Sequence, residues 1–568
     1  MNSKKIKADI LFLNARVVNV FTEEIIEQHV AVKNGWFLGF CEKSDAIYDA
    51  KEVIDLKGMF MAPGLIDAHV HIESSMTTPE NFAKAVLPCG TTTCIADPHE
   101  IANVAGLSGI EYMIDSAKLT PMNILFALPS CVPATHMETS GASLDVVQLA
   151  KLIDHPGIVA LAEMMDYRGV IFKDPDVMAK IELAKKAGKP IDGHAPDVTG
   201  KDLFAYAGAG ILSDHECTNV SEALEKLRLG MHIMVREGTC AKNLDGLYAA
   251  INEKTYTRMM WCTDDRHPEE ILAKGHVDHI VRKAIKKGLD PVRAIRMGSI
   301  NAADYFNIND AGAIAPGRRA DFILTKDLNE FKIDKVFVKG IPVDNKSSQD
   351  QSKKKLSYPG VMDINKNKVD FSISARGNEN KRIRVIEVIP DQVVTKEKIC
   401  TPLLENGLLI PDPLRDIIKI VVVEKYSGNA RTGKGFVTGL NIKKGAVASS
   451  VAHDSHNIIV VGANDEDMAL AFEKIVDMKG GFAVARDNQI LESLNLPVAG
   501  LMSDKTIDEV DKQMKKITRA AKSLGSDFND PFMALGFLCL PVIPQLKITD
   551  HGIVDVSKFE IVDLFVSD

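Results

Sequence analysis

The sequence predicts an α/β fold: a (β/α)8 TIM-like barrel, a small β-sandwich built from the segments flanking it, and a C-terminal α+β domain. Strand-like apolar runs alternate with amphipathic helical segments over residues 61–307. Short strands without helices lie on both sides, at 1–60 and 308–343. Residues 344–357, DNKSSQDQSKKKLS, contain almost no apolar side chain and are predicted to be a linker. Residues 358–568 then carry strands and helices of their own.

The first 60 residues are predicted to form strands separated by turns. The apolar runs are ILFLNARVVNV, HVAVKNGWFLGF and EVIDLKGMFMA. Lys33-Asn34-Gly35 is typical of a hairpin turn. Two more strand-like runs, ADFILTKD and IDKVFVKGIPV, follow the barrel segment. We expect the strands before and after the barrel to pair into one small sandwich.

The barrel segment contains eight strand-like runs in an unbroken series. They are LIDAHVHIE, TTTCIADP, NILFALPS, GIVALAEMM, PIDGHAP, ILSDHE, HIMVREG and MMWCTDD. Helical segments such as PENFAKAVLPCG, DPDVMAKIELAKKAG, VSEALEKLRLG and PEEILAKGHVDHIVRKAIKKG lie between or after them. This alternation favours a closed barrel over a doubly wound sheet. No glycine-rich dinucleotide fingerprint follows the first strand.

The C-terminal domain is predicted from four strand-like runs and two long helical segments. The runs are RIRVIEVIP, IIKIVVVEKY, NIIVVGA and GGFAVAR, and the helical segments are DEDMALAFEKIVDM and IDEVDKQMKKITRAAKSL. MGSINAADYF, at the end of the barrel segment, is expected to be core rather than a binding surface.

Composition excludes several classes of function. The chain has 568 residues, a formal net charge of -9 and no concentrated basic block, which argues against nucleic acid as a partner. No apolar stretch is long enough for a membrane span, and the N-terminus lacks the apolar core of a signal peptide. Nine cysteines without a CxxC pair indicate reduced thiols. We therefore expect a cytoplasmic protein with neither nucleic acid nor membrane as partner.

Two histidines one residue apart, in GLIDAHVHIESS, give the first indication of a metal site. In a strand, His69 and His71 point to the same side, and two imidazoles directed at one point suit a transition metal. In a barrel the chemistry lies at the carboxyl ends of the strands. Further candidate ligands occupy those ends: Glu163 on strand 4, His194 on strand 5, His215 on strand 6 and Asp264 on strand 8.

Each of these six residues has a structural explanation when taken alone. A carboxylate at a strand end often caps a helix, and a single histidine is commonly a hydrogen-bonded core residue. Their coincidence on one rim favours the metal interpretation. Six ligands exceed a tetrahedral site but suit two metals bridged by a carboxylate and a hydroxide.

These residues resemble a known family. PGLIDAHVHI, the later carboxylate, the single histidines on strands 5 and 6 and the strand-8 aspartate resemble the amidohydrolase superfamily, as does NAADYFNIND followed by GAIAPGRRADFIL. Within it, the chain is most similar to the bacterial adenine deaminases. HVHIESSMTTPENFAKAVLPCGTTTCIADPHEIANVAG, IDGHAPDVTGKDLFAYAGAGILSDHE and AHDSHNIIVVGANDEDMALA carry this resemblance, which covers nearly the whole chain.

The resemblance implies a ligand set and a substrate. Many cyclic-amide hydrolases of the superfamily place a carbamylated lysine on strand 4, whereas Glu163 stands there in this sequence. Carried over by position, the metal ligands are His69, His71, Glu163, His194, His215 and Asp264. The implied cofactors are two divalent metal ions, manganese or iron(II), with zinc as an alternative. The implied substrate is the purine base adenine, the pathway is purine salvage, and the enzyme is expected to be a homo-oligomer.

The expected reaction is attack of a metal-bound hydroxide on C6 of adenine, giving hypoxanthine and ammonia. Asp264 is the candidate to accept the proton of the nucleophile and deliver it to the leaving ammonia. N1 of the purine must also be protonated, and either Glu73 or Glu216 could do this. Both could instead orient the ligand histidines.

Other rim residues are candidate substrate contacts. CIADPHE after strand 2 places Asp97, His99 and Glu100 on the rim, where His99 could bind substrate or another metal; a turn with solvated charges is the alternative. Arg236 ends strand 7 and could contact the purine or pair with another rim loop. Ser130 follows strand 3 and is a further candidate substrate contact.

The HDSHN turn, residues 453–457, places two more histidines in the C-terminal domain. They could close the site or hold a separate metal, or the turn could simply join a strand to a helix.

Two alternative functions remain open at this stage. One is a hydrolase of a cyclic amide or another aminated heterocycle. The other is a non-catalytic, metal-binding assembly protein that retains the barrel. The selection of adenine over its nucleoside rests on the resemblance alone.

Overall fold

The computed structural model describes residues 5–42, 47–239, 241–343, 356–360, 362–390, 392–528 and 530–566. The predicted linker lies outside the described residues except for its last two positions. Within the described residues, we find no helix whose length and hydrophobicity would let it cross a lipid bilayer.

Five strands precede the barrel: β1 (Ile6–Asn19), β2 (Glu24–Lys33), β3 (Trp36–Cys41), β4 (Tyr48–Asp55) and β5 (Phe60–Pro63). The predicted hairpin joins β2 to β3, and Asn34 and Gly35 in its turn both have positive φ angles, of 52° and 82°.

The barrel strands are β6 (Leu65–His71), β7 (Thr91–Ala96), β8 (Asn123–Leu128), β9 (Ile158–Met164), β10 (Ile191–Gly193), β11 (Ser213–Asp214), β12 (His232–Arg236), β13 (Met259–Cys262) and β14 (Asp264–Asp265). The helices are α1 (Pro79–Val86), α2 (His99–Ala117), α3 (Val146–Leu149), α4 (Tyr167–Phe172), α5 (Pro175–Lys186), α6 (Gly200–Gly208), α7 (Val220–Arg228), α8 (Leu244–Leu247), α9 (Pro268–Lys274), α10 (Val277–Lys286), α11 (Pro291–Met297) and α12 (Ile300–Tyr305). Each of the eight predicted runs contains a strand, and β14 continues β13 after Thr263.

Hydrogen bonding joins these parallel strands into a ring. One sheet has the order β10-β9-β8-β7-β6-β14, and a second has the order β11-β12-β13. The amide of Leu212 donates to the carbonyl of Ile191 at 3.0 Å and links the two sheets. The ring closes where Asp264 and Asp265 pair in parallel with Val70 and His71. The predicted barrel is confirmed.

One helical segment predicted from the sequence, 268–288, is divided into α9 and α10. Gly275 separates them with a φ of 95°, which other residues rarely adopt. The amide of His276 then donates to Asp278 Oδ1 at 2.6 Å, next to the start of α10. MGSINAADYF is core as expected, with Met297, Ile300 and Tyr305 buried.

The strands that follow the barrel, β15 (Phe322–Thr325), β16 (Ile333–Val338) and β17 (Ile341–Pro342), pair with those before it. The resulting eight-stranded sheet has the order β17-β16-β15-β5-β1-β2-β3, with β4 beside β1. Its core contains Phe12, Phe322 and Phe337, and the last two rings stack with centroids 4.5 Å apart. The predicted pairing of the two flanking segments is confirmed.

The C-terminal strands are β18 (Arg382–Val388), β19 (Thr395–Cys400), β20 (Leu403–Glu405), β21 (Leu408–Ile410), β22 (Ile418–Val423), β23 (Thr432–Thr438), β24 (Ala446–Ser449), β25 (Ile458–Gly462), β26 (Gly481–Arg486), β27 (Gln489–Asn495), β28 (Leu546–Thr549), β29 (Gly552–Asp555), β30 (Glu560–Val562) and β31 (Phe565–Val566). The helices are α13 (Asp465–Met478), α14 (Ile507–Lys522) and α15 (Pro531–Phe537).

A nine-stranded sheet forms the centre of this C-terminal region. Its order is β19-β18-β23-β22-β25-β24-β26-β27, with β31 beside β18. Alternate residues of β22 face opposite sides: Val421 packs in one cluster with Phe472 of α13, and Ile420 packs in another with Ile517 of α14. The α+β prediction is confirmed, and the domain boundaries themselves stay predictions.

Candidate metal centre

Strand β6 presents both of its histidines to the centre of the barrel rim. Every residue of β6 is buried, and His69 and His71 are separated by Val70, so the two imidazoles lie on the same side. Their Nε2 atoms are 3.1 Å apart. The second ring nitrogen of His71, Nδ1, lies 3.0 Å from the carbonyl oxygen of Asp97. That carbonyl can only accept, so Nδ1 carries the proton and Nε2 keeps a lone pair for a metal.

Glu163, at the end of β9, lies between two sets of histidines. Its Oε1 atom is 3.3 Å from His71 Nε2 and 3.8 Å from His69 Nε2. Its Oε2 atom is 2.6 Å from His194 Nδ1 and 3.3 Å from His215 Nε2. Each carboxylate oxygen therefore faces its own pair of imidazoles, the arrangement that a bridging ligand between two ions requires.

Asp264 completes the ring of candidate ligands from β14. Its Oδ1 atom is 3.0 Å from His71 Nε2 and 3.7 Å from His69 Nε2. Asp264 has a φ of 56°, a conformation that costs free energy for residues other than glycine and persists where the surroundings hold it. The preceding residue, Thr263, is held by Asp67, whose Oδ1 accepts from the Thr263 amide at 3.1 Å.

Burial and neighbouring positive charge have opposite effects on the pKa values of Glu163 and Asp264. Burial alone would raise the pKa of Glu163, but the charge of His215 and hydrogen bonds from the surrounding histidines hold it well below its usual range. The pKa of Asp264 is likewise held low against burial, mainly by the guanidinium of Arg236. Both groups are therefore ionised at neutral pH, as candidate metal ligands must be.

The donor set fits a divalent metal. The ligand atoms of His69, His215 and Asp264 lie within 4.8 Å of one another, as do those of Glu163, His194 and His215. All six candidate ligands converge on one rim. Imidazole and carboxylate ligands together suit zinc, iron and manganese.

Comparisons with known proteins agree with this geometry. Residues 60–343 match the amidohydrolase family, and residues 392–560 match the adenine deaminase C-terminal domain. The adenine deaminase of Desulfatibacillum aliphaticivorans is 49% identical, over 99% of this chain and 98% of that protein. The adenine deaminase of Kosmotoga olearia is 46% identical, over 98% of this chain and 97% of that protein. The chain belongs to the adenine deaminase family.

Among solved structures, a β-aspartyl dipeptidase from Fervidobacterium islandicum is similar to part of the chain. It is 17% identical and covers 61% of this chain and 99% of that chain, with a TM-score of 0.46.

As a member of the adenine deaminase family, the chain is an amidohydrolase, and this superfamily uses a divalent metal.

The structure separates the two glutamates that the sequence left equivalent. Glu216 lies beside the centre, with Oε1 3.3 Å from His215 Nε2 and 3.7 Å from His194 Nδ1. Glu73 is buried beneath the start of α2, where its Oε1 accepts from the amide of Ile101 at 3.2 Å. Burial raises the pKa of Glu73 to about 7.

Arg236 forms the ion pair that the sequence offered as one of its two interpretations. Its Nη1 atom is 2.6 Å from Glu216 Oε1 and also contacts Asp264 Oδ2, and its Nη2 donates to Glu216 Oε2 at 2.9 Å. Arg236 is thus a positive charge shared by two carboxylates of the centre.

The remaining candidates contact Glu163. His99 Nδ1 is 3.4 Å from Glu163 Oε1 and 3.3 Å from Asp97 Oδ2. The hydroxyl of Ser130 donates to the carbonyl oxygen of Glu163 at 2.6 Å, which fixes the end of β9. Substrate contacts by His99, Arg236 and Ser130 stay predictions.

Three residues near the centre were missed by the sequence reasoning. Asp265 lies with His71 and Asp264 as a further possible ligand, and the adjacent pair in CTDD was the available signal. Asp454 and Glu138 are buried carboxyl groups supplied by the C-terminal region and by the segment after β8. The HDSHN turn contains Asp454, but only its two histidines were considered as functional residues, and no local pattern marks Glu138.

Proposed function

We propose that this chain hydrolyses adenine to hypoxanthine and ammonia at a centre of two divalent metal ions. Two lines of support come together here: relatives named adenine deaminase match over nearly their full length, and Glu163 lies between two histidine pairs. The position of Glu163 is the single observation that carries the two-metal proposal, because each of its oxygens faces a separate set of ligands.

The metals would be held by six side chains: His69, His71, Glu163, His194, His215 and Asp264. When bound, they lower the pKa of a coordinated water toward neutrality and so supply the nucleophile. The mixture of carboxylate oxygen and imidazole nitrogen leads us to propose manganese or iron(II), with zinc as the alternative.

Glu216 and Asp264 transfer the protons in this proposal. Both are ionised, because Arg236 lowers the pKa of each, so both can accept a proton. Glu216 takes the first proton of the attacking water and transfers it to N1 as C6 becomes tetrahedral. Asp264 takes the second and transfers it to the amino group, which leaves as ammonia. Hypoxanthine then keeps the proton on N1.

Glu73 takes no proton in this scheme. Its Oε1 atom accepts from the amide of Ile101 in α2, so we assign it to positioning the start of α2. The wider context of the proposal is purine salvage by a cytoplasmic homo-oligomer.

The test is ammonia release from adenine by protein loaded with manganese or iron(II), with adenosine and a cyclic amide measured beside it. We expect release from adenine alone. Release from the amide alone would make the chain a different amidohydrolase. A protein that binds no metal under any loading condition would support the non-catalytic alternative.

The roles of individual residues are tested by substitution. We expect Asp264→Asn to lose on the order of 10² to 10⁴ of kcat for adenine, the range typical of a lost proton-transfer group. The matched control is Asp245→Asn, because Asp245 is exposed and pairs with Lys283 and Lys287. Metal content measured on both variants separates lost proton transfer from lost metal.

A further inference from the structure

A loop of the C-terminal region reaches the barrel rim beside the metal centre. Residues 453–457 join β24 to β25, so the turn connects two strands and not a strand to a helix. His453 Nδ1 lies 2.8 Å from Glu100 Oε1, and Asn457 Nδ2 donates to the carbonyl of Thr139 at 2.8 Å. Glu100 and Thr139 both belong to the barrel region, so this loop is held on it from two sides.

The two histidines of the loop both contact Glu100. The amide of Ala452 donates to His456 Nδ1 at 3.2 Å, so Nδ1 uses its lone pair as an acceptor. The proton of the neutral ring is then on Nε2, which closely contacts Glu100 Oε2. The ligand atoms of Glu100, His453 and His456 lie within 4.8 Å of one another, so a separate metal at this turn stays a prediction.

Asp454 lies between His453 and His456 in the chain and has no role in the proposed reaction. Its side chain is buried, with a relative exposure of 3%, and its Oδ2 atom has no hydrogen-bond partner among the described residues. Burial raises the pKa of Asp454 to about 6, and the charges of His99 and Glu163 act on it in opposite directions. The placement of Asp454 follows from the contacts of its neighbour: His453 contacts Glu100, whose Oε1 is 3.6 Å from His99 Nε2, and His99 Nδ1 is 3.4 Å from Glu163 Oε1.

A second unpartnered acceptor lies nearby. Glu138 is buried, its Oε2 atom has no hydrogen-bond partner among the described residues, and its pKa is raised by burial and by the charge of Asp454. Leaving a buried acceptor unpaired costs about 1–3 kcal/mol. Glu138 with a raised pKa can carry its own proton, so the unpaired carboxylate oxygen of Asp454 is the acceptor that indicates a ligand with an N–H donor.

We propose that Asp454 accepts a hydrogen bond from the imidazole-ring N–H of the purine base and so selects the free base over its nucleoside. This inference rests on the proposed function. The imidazole ring of a free purine base carries one N–H, on N7 or N9. The imidazole ring of a nucleoside carries none, because N9 is bonded to the sugar and N7 is an acceptor. Its binding would leave Asp454 buried without a donor, and a site built around such a bond discriminates strongly against a ligand lacking it.

The test compares the kinetics of two proteins on substrates with and without the ring N–H. Wild-type protein and Asp454→Ala are assayed with adenine, 7-methyladenine and 9-methyladenine. Neither methyladenine has a ring N–H, because one imidazole-ring nitrogen carries the methyl group and the other is an acceptor. We expect Asp454→Ala to lose about 10- to 100-fold of kcat/KM for adenine, mainly through KM, which is the range for one hydrogen bond to a charged group. The loss that this substitution causes for each methyladenine should be at most a few-fold.

The outcome that overturns the proposal is an equal loss for all three substrates, or no loss for adenine. Asp487→Asn is the matched control, because it lies in the same region and is exposed, with a side-chain exposure of 83%. Its kinetics should equal those of the wild type, and the metal content of Asp454→Ala should be unchanged.

Wild-type kinetics alone keep the proposal testable if the variant does not fold. We expect both methyladenines to lose about 10-fold or more in kcat/KM relative to adenine, and turnover of either at the rate of adenine would refute the proposed contact. Failure of the proposed function is a different result, since wild-type protein would then release no ammonia from adenine at all.

Discussion

Arg236 controls the charge of two carboxylates beside the metal centre. Its guanidinium contacts both Glu216 and Asp264, and its positive charge is the main influence that lowers the pKa of each against burial. The strand-end pattern predicted that Arg236 would lie on the rim. The pattern did not distinguish a substrate contact from an ion pair. That distinction depends on the distances from Arg236 to Glu216 and Asp264, which the packing of neighbouring strands sets.

Replacing Arg236 by Met should shift the pH dependence of catalysis. Without the guanidinium the pKa of Asp264 rises, so the carboxylate becomes protonated at higher pH and loses its role as proton acceptor. We expect the acidic limb of kcat/KM for adenine to move upward by about one pH unit or more.

The control for this shift is Arg282→Met, which removes an ion pair with Asp278 on α10. Its pH profile should match that of the wild type. An acidic limb that stays in place in Arg236→Met would mean that Arg236 does not set the charge of the proton acceptor.

Lys425 is a buried cation in the C-terminal region. Its Nζ atom has no hydrogen-bond partner among the described residues, and burial lowers its pKa from 10.5 to about 7. Since the unfolded chain keeps the higher pKa, it binds more protons than the folded chain between pH 7 and pH 10.5. Stability therefore rises with pH through this window, and the full penalty applies below pH 7.

We expect Lys425→Met to raise the free energy of unfolding at pH 7 by about 1–3 kcal/mol, because it removes a buried polar group without a partner. The gain should shrink as the pH approaches 10. Denaturant unfolding across pH 6–10 measures both effects.

Lys419→Met is the matched control, because Lys419 is equally buried but pairs with Asp465 at 2.5 Å. It should lose stability. A loss in Lys425→Met at pH 7 would contradict the assignment of Lys425 as an unpaired charge.

At the scale of elements, the N-terminus of α14 has a complete capping box. The side chain of Thr506 accepts from the Glu509 amide at 3.4 Å, and Glu509 Oε2 accepts from the Thr506 amide at 3.0 Å. Helix α14 packs on the nine-stranded sheet through Val510, Met514 and Ile517, far along the chain from the candidate ligands.

Thr506→Ala should destabilise the protein by about 1 kcal/mol, the usual cost of losing an N-cap. Thr506→Ser keeps the hydroxyl and should lose much less. Both variants should deaminate adenine with wild-type kinetics below the unfolding transition. A change in kcat/KM for Thr506→Ala would show that α14 influences the site.

Periodicity and turn residues were sufficient to predict most elements. The eight barrel runs, the β2–β3 hairpin and helices α13 and α14 depend on local patterns of burial, which a sequence displays directly. The division of 268–288 into α9 and α10 depends on the positive φ of Gly275. A glycine within a helical pattern can also adopt helical angles, so the sequence alone does not predict this break.

At the scale of the whole molecule, the C-terminal region is packed on the barrel by polar contacts. The amide of Thr139 donates to Asp550 Oδ1 at 2.9 Å, and the hydroxyl of Thr549 donates to the carbonyl of Met137 at 2.6 Å. These partners are separated by about four hundred positions in the chain.

This long-range packing explains what the sequence could not predict. The six candidate ligands share one feature, a position at the carboxyl end of a barrel strand, so their proximity follows from the fold class. Asp454 reaches this rim only because the C-terminal sheet packs on the barrel, and the HDSHN turn that contains it does not predict this packing.

The most direct test of the account is a metal titration of the metal-free protein, with ammonia release from adenine as the readout. The position of Glu163 between two histidine pairs predicts that activity rises until two equivalents of manganese or iron(II) are bound per chain and then stays constant. Glu163→Ala should not reach this plateau. Full activity at one equivalent, or in Glu163→Ala, would contradict a two-metal centre bridged by Glu163.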